Sequence, residues 1–169
     1  MKTFTTTLLI LLVIILLPSK TYAATAEVTW TDYKKYRDID SGNEHRTHFR
    51  ERTFKNFEKH FNKLAQRLPE GMVLHIEVTD VDLAGDTLIG GIDRLRIIKE
   101  LYSPQLTFSY QLLGSDGGQI AAASVKLRDM NFMMGSSLRY RNDALGYEKK
   151  MLDDWFKKAF NDHIVGKNQ

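Results

Sequence analysis

Cysteine is absent from all 169 residues, and that single absence excludes a good deal. No disulfide can staple the chain, no thiolate can act as a nucleophile, and no zinc knuckle or iron–sulfur cluster can be ligated. A lipid attached at a lipobox cysteine is excluded with them. Proline is nearly as scarce. Pro18, Pro69 and Pro104 are the three copies, and each falls where a residue pattern stops or starts. No apolar run reaches the roughly 20 residues of a membrane-spanning helix; Leu8–Leu17 holds ten. Charge of one sign is also in short supply. Lys and Arg number 24 against 21 Asp and Glu, a formal +3. Two of the lysines, Lys2 and Lys20, lie before residue 24, so the rest of the chain carries 22 basic and 21 acidic residues. That balance argues against nucleic-acid binding and against a polybasic membrane surface, both of which need a clustered cationic face.

The first 26 residues carry a three-part order. Lys2 supplies a positive start, Leu8–Leu17 an apolar middle, and Pro18 breaks the run before Ser19, Thr21, Ala23, Ala24 and Ala26. This is the pattern of a secretory signal peptide. Cleavage after Ala23 puts Thr21 and Ala23 at the small positions; cleavage after Ala26 is the second choice. The expectation is a signal peptide over residues 1–23 and a single α+β domain over 24–169, soluble and periplasmic or secreted, not membrane-embedded once the leader is removed. A domain of 146 residues buries roughly 68–70% of its unfolded surface, enough to hold itself by packing.

Periodicity then gives the elements. Val28 and Trp30 alternate with Glu27 and Thr29 as a short strand. Thr31–Asn43 reads as irregular. Ser41 and Glu44 have capping-box spacing ahead of a helix from about Asn43 to Leu68, with Phe49, Phe54, Phe57, Phe61, Leu64, Ala65 and Leu68 along one stripe. Pro69-Glu70-Gly71 stops it. Met72, Leu74, Ile76 and Val78 alternate with His75, Glu77 and Thr79 as a strand with one face on a core. Arg94–Ile98 is a short strand candidate. Leu106–Leu112 and Gln119–Leu127 flank Ser115-Asp-Gly-Gly118 as an antiparallel hairpin. Asp143 can cap a final helix, Ala144–His163, with Leu145, Leu152, Trp155, Phe156, Ala159 and Phe160 on its stripe, and with Asp153 and Asp154 paired to Lys157 and Lys158. The order is β-α-β-β-β-β-α. It implies a mixed, mainly antiparallel sheet of four to five strands with two helices on one face.

Pro69-Glu-Gly71 followed by His75-Ile-Glu-Val-Thr-Asp-Val-Asp-Leu-Ala-Gly85 resembles the most recognisable segment of a bacterial family catalogued as domain of unknown function 3016. Leu127-Arg-Asp-Met-Asn131 and Tyr147–Phe156 fit it as well. The resemblance implies exported bacterial proteins of one small domain, and assigns no activity to any residue.

The acidic bend after Val78 is the chief candidate site. An unbroken strand phase would carry Asp80 and Asp82 onto the core side with Leu74, Ile76 and Val78, at a cost of several kcal/mol for each unpaired carboxylate. Either the strand bulges near Asp80, swinging Val81 and Leu83 inward, or basic partners reach the pair. Arg94, Arg96, Arg139 and Arg141 are the candidate partners, Arg96 foremost against Asp80 or Asp82. The aspartates can organise a turn in which Gly85 takes a positive φ, form an oxygen-ligand site with Asp86 and Asp129, or meet a polar ligand. A calcium EF-hand is excluded, because Ala84 and Gly91 occupy ligand positions of that loop. His45 and His48 stand one helical turn apart without a third ligand. The candidate polar site is therefore Asp80, Asp82, Asp86, Arg96, Asp129, Asn131, Arg139 and Arg141, with no metal and no cofactor. Phe132, Met133, Met134 and Tyr140 fall in an irregular stretch that would mark a contact surface if exposed. No nucleophile elbow or phosphate-cradling motif is present. The expected role is a non-enzymatic binding or envelope accessory domain with a protein or envelope component as partner. The alternatives are a hydrolase or other enzyme using Asp80, Asp82 and Asp129, and a structural role through residues 129–142.

Overall fold

The computed structural model describes residues 22–87, 94–134, 140 and 142–164. Among these residues six strands and two helices follow one another as β1 (Thr25–Trp30), α1 (Arg46–Ala65), β2 (Val73–Asp82), β3 (Asp86–Thr87), β4 (Arg96–Ile97), β5 (Gln105–Leu113), β6 (Gln119–Arg128) and α2 (Gly146–Ala159), with a 3-10 turn at Tyr33–Lys35. The main sheet has the order β1-β2-β5-β6. β1 lies parallel to β2, as a strand–helix–strand crossover requires, and the other two pairings are antiparallel. This is the mixed α+β sheet with two covering helices that the periodicity implies. One detail differs: the strand expected at Arg94–Ile98 pairs with β3 in a separate two-stranded arm, because Gly85, at φ 80, turns the chain out of β2 after Leu83.

The core is the helix-facing side of the sheet. Leu74, Ile76 and Val78 of β2 and Leu106, Phe108 and Leu112 of β5 meet Phe57, Phe61 and Leu64 of α1 and Leu152, Trp155 and Phe156 of α2. Edge-to-face rings bind these layers: Phe61 on Phe108 at 6.0 Å and Phe108 on Trp155 at 4.8 Å between centroids. The stripe on α1 is thus buried at Phe57 and Phe61, while Phe54 stacks on Trp30 of β1 at 4.0 Å. The opposite face, with Glu77, Thr79 and the half-exposed His75, is the wetter one.

The two sheet edges differ. β1 is short and lies under α1, whose Asn62 accepts the Ala26 backbone N–H at 3.0 Å and whose Glu58 accepts from the Trp30 indole at 2.8 Å. β6 is ten residues long and mostly exposed.

The helix ends depart from expectation. His45, not Ser41, precedes the first turn of α1, and no side chain caps it; Glu44 is drawn instead into a bidentate pair with Arg52. Leu145, at φ 63, precedes α2, and Asp143 accepts from Lys149 Nζ at 2.6 Å rather than capping. Asp153 turns inward to His60, and Asp154 pairs with Lys150 at 2.9 Å, so neither meets Lys157 or Lys158 in the way the spacing suggests.

Candidate functional site

The phase problem at the acidic bend is resolved by a bulge. Val78 pairs with Phe108 and Asp80 with Thr107, leaving Thr79 as the extra residue. Val81 and Leu83 are thereby fully buried, and Asp80 and Asp82 turn toward the rim. Both resolutions weighed from sequence operate together, because an arginine also arrives. It is Arg37 rather than Arg96. The stretch before α1 runs beside the end of β2, bridging Asp38 to Asp82, so that Arg37 lies 3.6 Å from each carboxylate and its backbone N–H bonds Asp80 at 2.8 Å. Gln105 donates to Asp82 at 2.9 Å. Burial holds the Asp82 carboxyl above its ordinary pKa; Arg37 pulls it down, and Asp38 and Asp80 push it up.

Arg96 pairs with Asp38 instead, through two nitrogens at 2.7 and 3.0 Å, and reaches the carbonyls of Gly85 and Asp40 at 3.0 Å each. Two residues away, Arg94 meets Asp40 at 2.5 Å. Asp38-Ile-Asp40 and Arg94-Leu-Arg96 are thus complementary alternating strings, which clamp the β3–β4 arm to the segment ahead of α1. Burial raises the Asp40 carboxyl, but the Gly42 N–H, Thr87 and Arg94 outweigh it and leave it below the usual carboxylate range. Asp82 and Asp86 line one polar cavity together with Asp38 and Asp40.

The other expected members are not gathered there. Asp129 bonds the Asn131 backbone N–H at 3.0 Å, lies 3.8 Å from Lys150, and lines a separate groove between β6 and α2. Asn131 is exposed. Arg139 and Arg141 lie outside the described residues, as do Gly90 and Gly91. Among the described residues no group of three or more acidic, histidine or cysteine side chains is arranged to hold a metal ion. His45 and His48 sit edge to face at 5.6 Å.

A second cavity, of about 390 Å³, was not anticipated. It lies where the N-terminal ends of both helices face the β2 end and the arm. Phe49, Leu83, Ala84, Ile98, Tyr140, Ala144, Leu145 and Tyr147 form a mainly apolar lining, into which Arg96, Asp143, Glu148 and Lys150 bring charge. Its volume lies within the range of small-molecule sites. Glu148 sits in the first turn of α2 and is 3% exposed. Its carboxylate accepts the Ala84 backbone N–H at 2.8 Å and its own N–H. Burial raises its pKa; those two N–H groups, Arg96 and Lys149 oppose the shift without cancelling it. The other charges of the lining are matched: Arg96 by Asp38, Asp143 by Lys149, and Lys150 by Asp154. The Arg96 Nε is buried without a partner among the described residues. Between the helices behind this cavity, His60 Nε2 lies 3.1 Å from both the Lys149 carbonyl and Asp153, and the Tyr140 hydroxyl donates to Asp153.

Glu148 left a trace in the sequence. The apolar stripe of the last helix skips from Leu145 to Leu152, and Glu148 stands in the gap, four residues before Leu152 on the same face. An acid on the apolar face of a helix is the signal for a buried carboxylate.

Fold and cavity together define the class: a helix-covered, open mixed sheet whose clearest concave site is an apolar cavity holding a buried acid. Within that class the chain belongs to the family described as Protein of unknown function (DUF3016), whose model matches residues 24–158. No curated protein and no solved structure matches it.

Proposed function

We propose that this is an exported, non-enzymatic binding domain that takes a small molecule with an apolar body into the cavity between the N-terminal ends of α1 and α2. The observation that carries the reading is the cavity itself: aromatic and aliphatic walls around a few convergent polar groups, which is the usual composition of a ligand site. The acidic bend supports binding rather than chemistry. Asp80 and Asp82 are engaged by Arg37, Gln105 and backbone N–H groups, Asp38 and Asp40 by arginines, and Asp129 stands apart.

Export rests on the leader pattern, and two facts favour cleavage after Ala23. The family match begins at residue 24, and Ala24 and Ala26 are buried while the Thr25 N–H bonds the Met72 carbonyl at 3.1 Å. Cleavage after Ala26 would remove the first two of the six residues of β1, whereas the first site leaves the strand whole.

The test uses protein purified from an envelope fraction after expression of the full chain. N-terminal sequencing should begin at Ala24. Titration with the uncharged fluorophore N-phenyl-1-naphthylamine should give saturable enhancement, and Ala144→Trp, at an exposed residue of the lining, should weaken it by about tenfold or more, equivalent to about 1.4 kcal/mol. An intact leader overturns export. Absent binding, or equal binding by the variant, overturns the cavity as the site.

A further inference from the structure

We infer that the cavity's ligand is a small organic ammonium: a positively charged amine carrying an apolar body, with its cationic head beside Glu148. The inference rests on the reading of the cavity as a ligand site and names the chemistry it selects.

Three observations converge on it. First, Glu148 is the one acidic group of the lining that meets no side-chain cation among the described residues. Its direct hydrogen bonds come from two backbone N–H groups, whereas a carboxylate offers about four acceptor positions. A buried carboxylate with acceptors to spare is costly, and a charged donor entering from the cavity offsets that cost directly. Second, the neighbouring cations are already spoken for. Arg96 is held by Asp38 through both terminal nitrogens, and Lys150 lies 2.9 Å from Asp154 and 3.8 Å from Asp129. Asp143, the other acid of the lining, is matched by Lys149. The local balance therefore favours an arriving positive charge over a negative one. Third, Phe49, Tyr140 and Tyr147 stand in the same lining. Aromatic walls around a carboxylate suit an ammonium, since ring faces attract cations most strongly where water is excluded. One face of Phe49 is occupied by Arg52, 5.6 Å from the ring centroid, and Tyr140 and Tyr147 meet His60 and Phe132 edge to face.

A carboxylate ligand would have to lie against Glu148, and a neutral alcohol would bring no charge to add to the partial compensation that two N–H groups, Arg96 and Lys149 give it.

The experiment displaces N-phenyl-1-naphthylamine from the mature protein at pH 8 with three molecules of nearly one shape: 2-phenylethylamine, 2-phenylethanol and 3-phenylpropionate. The amine should compete about tenfold more tightly than the alcohol, a difference of about 1.4 kcal/mol, and the carboxylate should be weakest. In Glu148→Gln, which keeps an oxygen to accept the Ala84 N–H, the amine should fall to the level of the alcohol while the alcohol is unchanged. An alcohol or carboxylate that competes as well as the amine on wild-type protein overturns the ammonium assignment and leaves the cavity standing, as does an amine preference that survives in the variant. Failure of the fluorophore and of all three competitors overturns both readings together.

Discussion

Glu148 is the residue on which most of the chemistry turns. Its folded-state pKa lies above the ordinary carboxyl value because burial penalises the charge. The sign of the consequence follows. Between the unfolded and the raised folded pKa the native state binds more protons than the unfolded one, so stability falls as pH rises through that window. Glu148→Gln removes the penalty. Thermal unfolding should show the variant more stable than wild type at pH 8, with the advantage shrinking toward pH 4 as wild-type Glu148 takes up its proton. A variant that is less stable at pH 8 by the same amount as at pH 4 would mean that the carboxylate is compensated. At this scale the sequence was informative in part. The conflict between strand phase and the Asp80-Val-Asp82 string could be read from alternation alone, and it required either a bulge that turns Val81 and Leu83 inward or basic partners for the aspartates; both are present. The identity of the cation could not be read, because Arg37 lies 43 residues from Asp80 and reaches it only through a bridge between Asp38 and Asp82.

Among the elements, the arm of β3 and β4 depends most on side chains. Two strands of two residues each cannot stand alone, and their exposed Leu95, Ile97 and Ile98 contribute little burial. Arg94 and Arg96 hold the arm by reaching back to Asp40 and Asp38. Gly42 and Gly85, both at positive φ, permit the close approach: a Cβ at Gly42 would sit 2.0 Å from the Arg94 carbonyl oxygen, and one at Gly85 2.6 Å from that of Ile97. Arg96→Met should cost about 2 kcal/mol in urea unfolding, as expected for hydrogen bonds to a charged group. A double-mutant cycle with Asp38→Asn should give a coupling of about 1–3 kcal/mol. A coupling near zero would show that the paired strings are incidental. The strings were visible in the sequence, but nothing local says that Asp-Ile-Asp must find Arg-Leu-Arg more than fifty residues away. Helix caps failed for a related reason. Ser41 and Glu44 have the right spacing, yet Arg52 offers Glu44 a bidentate partner, and a tertiary pair overrides a local preference.

Across the whole molecule, the sheet with its two covering helices followed from period-2 and period-3.6 patterns, because one stripe on each helix and one face of β2 and β5 had to share a core. The cavity did not follow. It forms where three separate chain segments fail to close completely over Leu83 and Ala84, and cavities of that kind depend on geometry that no single pattern encodes. No helix among the described residues is long and apolar enough to cross a membrane. The exposed methionines Met130, Met133 and Met134 lie beyond β6, away from Phe132, which packs on Tyr147 at 4.8 Å between ring centroids. Among the described residues of the stretch that would mark a contact surface if exposed, Phe132 is thus buried and Met133 and Met134 are exposed.

Amide chemical-shift mapping of the isotope-labelled domain, residues 24–169, with 2-phenylethylamine tests the central claim most directly. Shifts concentrated at Leu83, Ala84, Gly146, Tyr147 and Glu148, and absent from Ala122, Ser124 and Lys126 of β6, are the predicted result. Shifts centred on β6 or on the Asp80–Asp82 bend, or none at saturating amine, would contradict it.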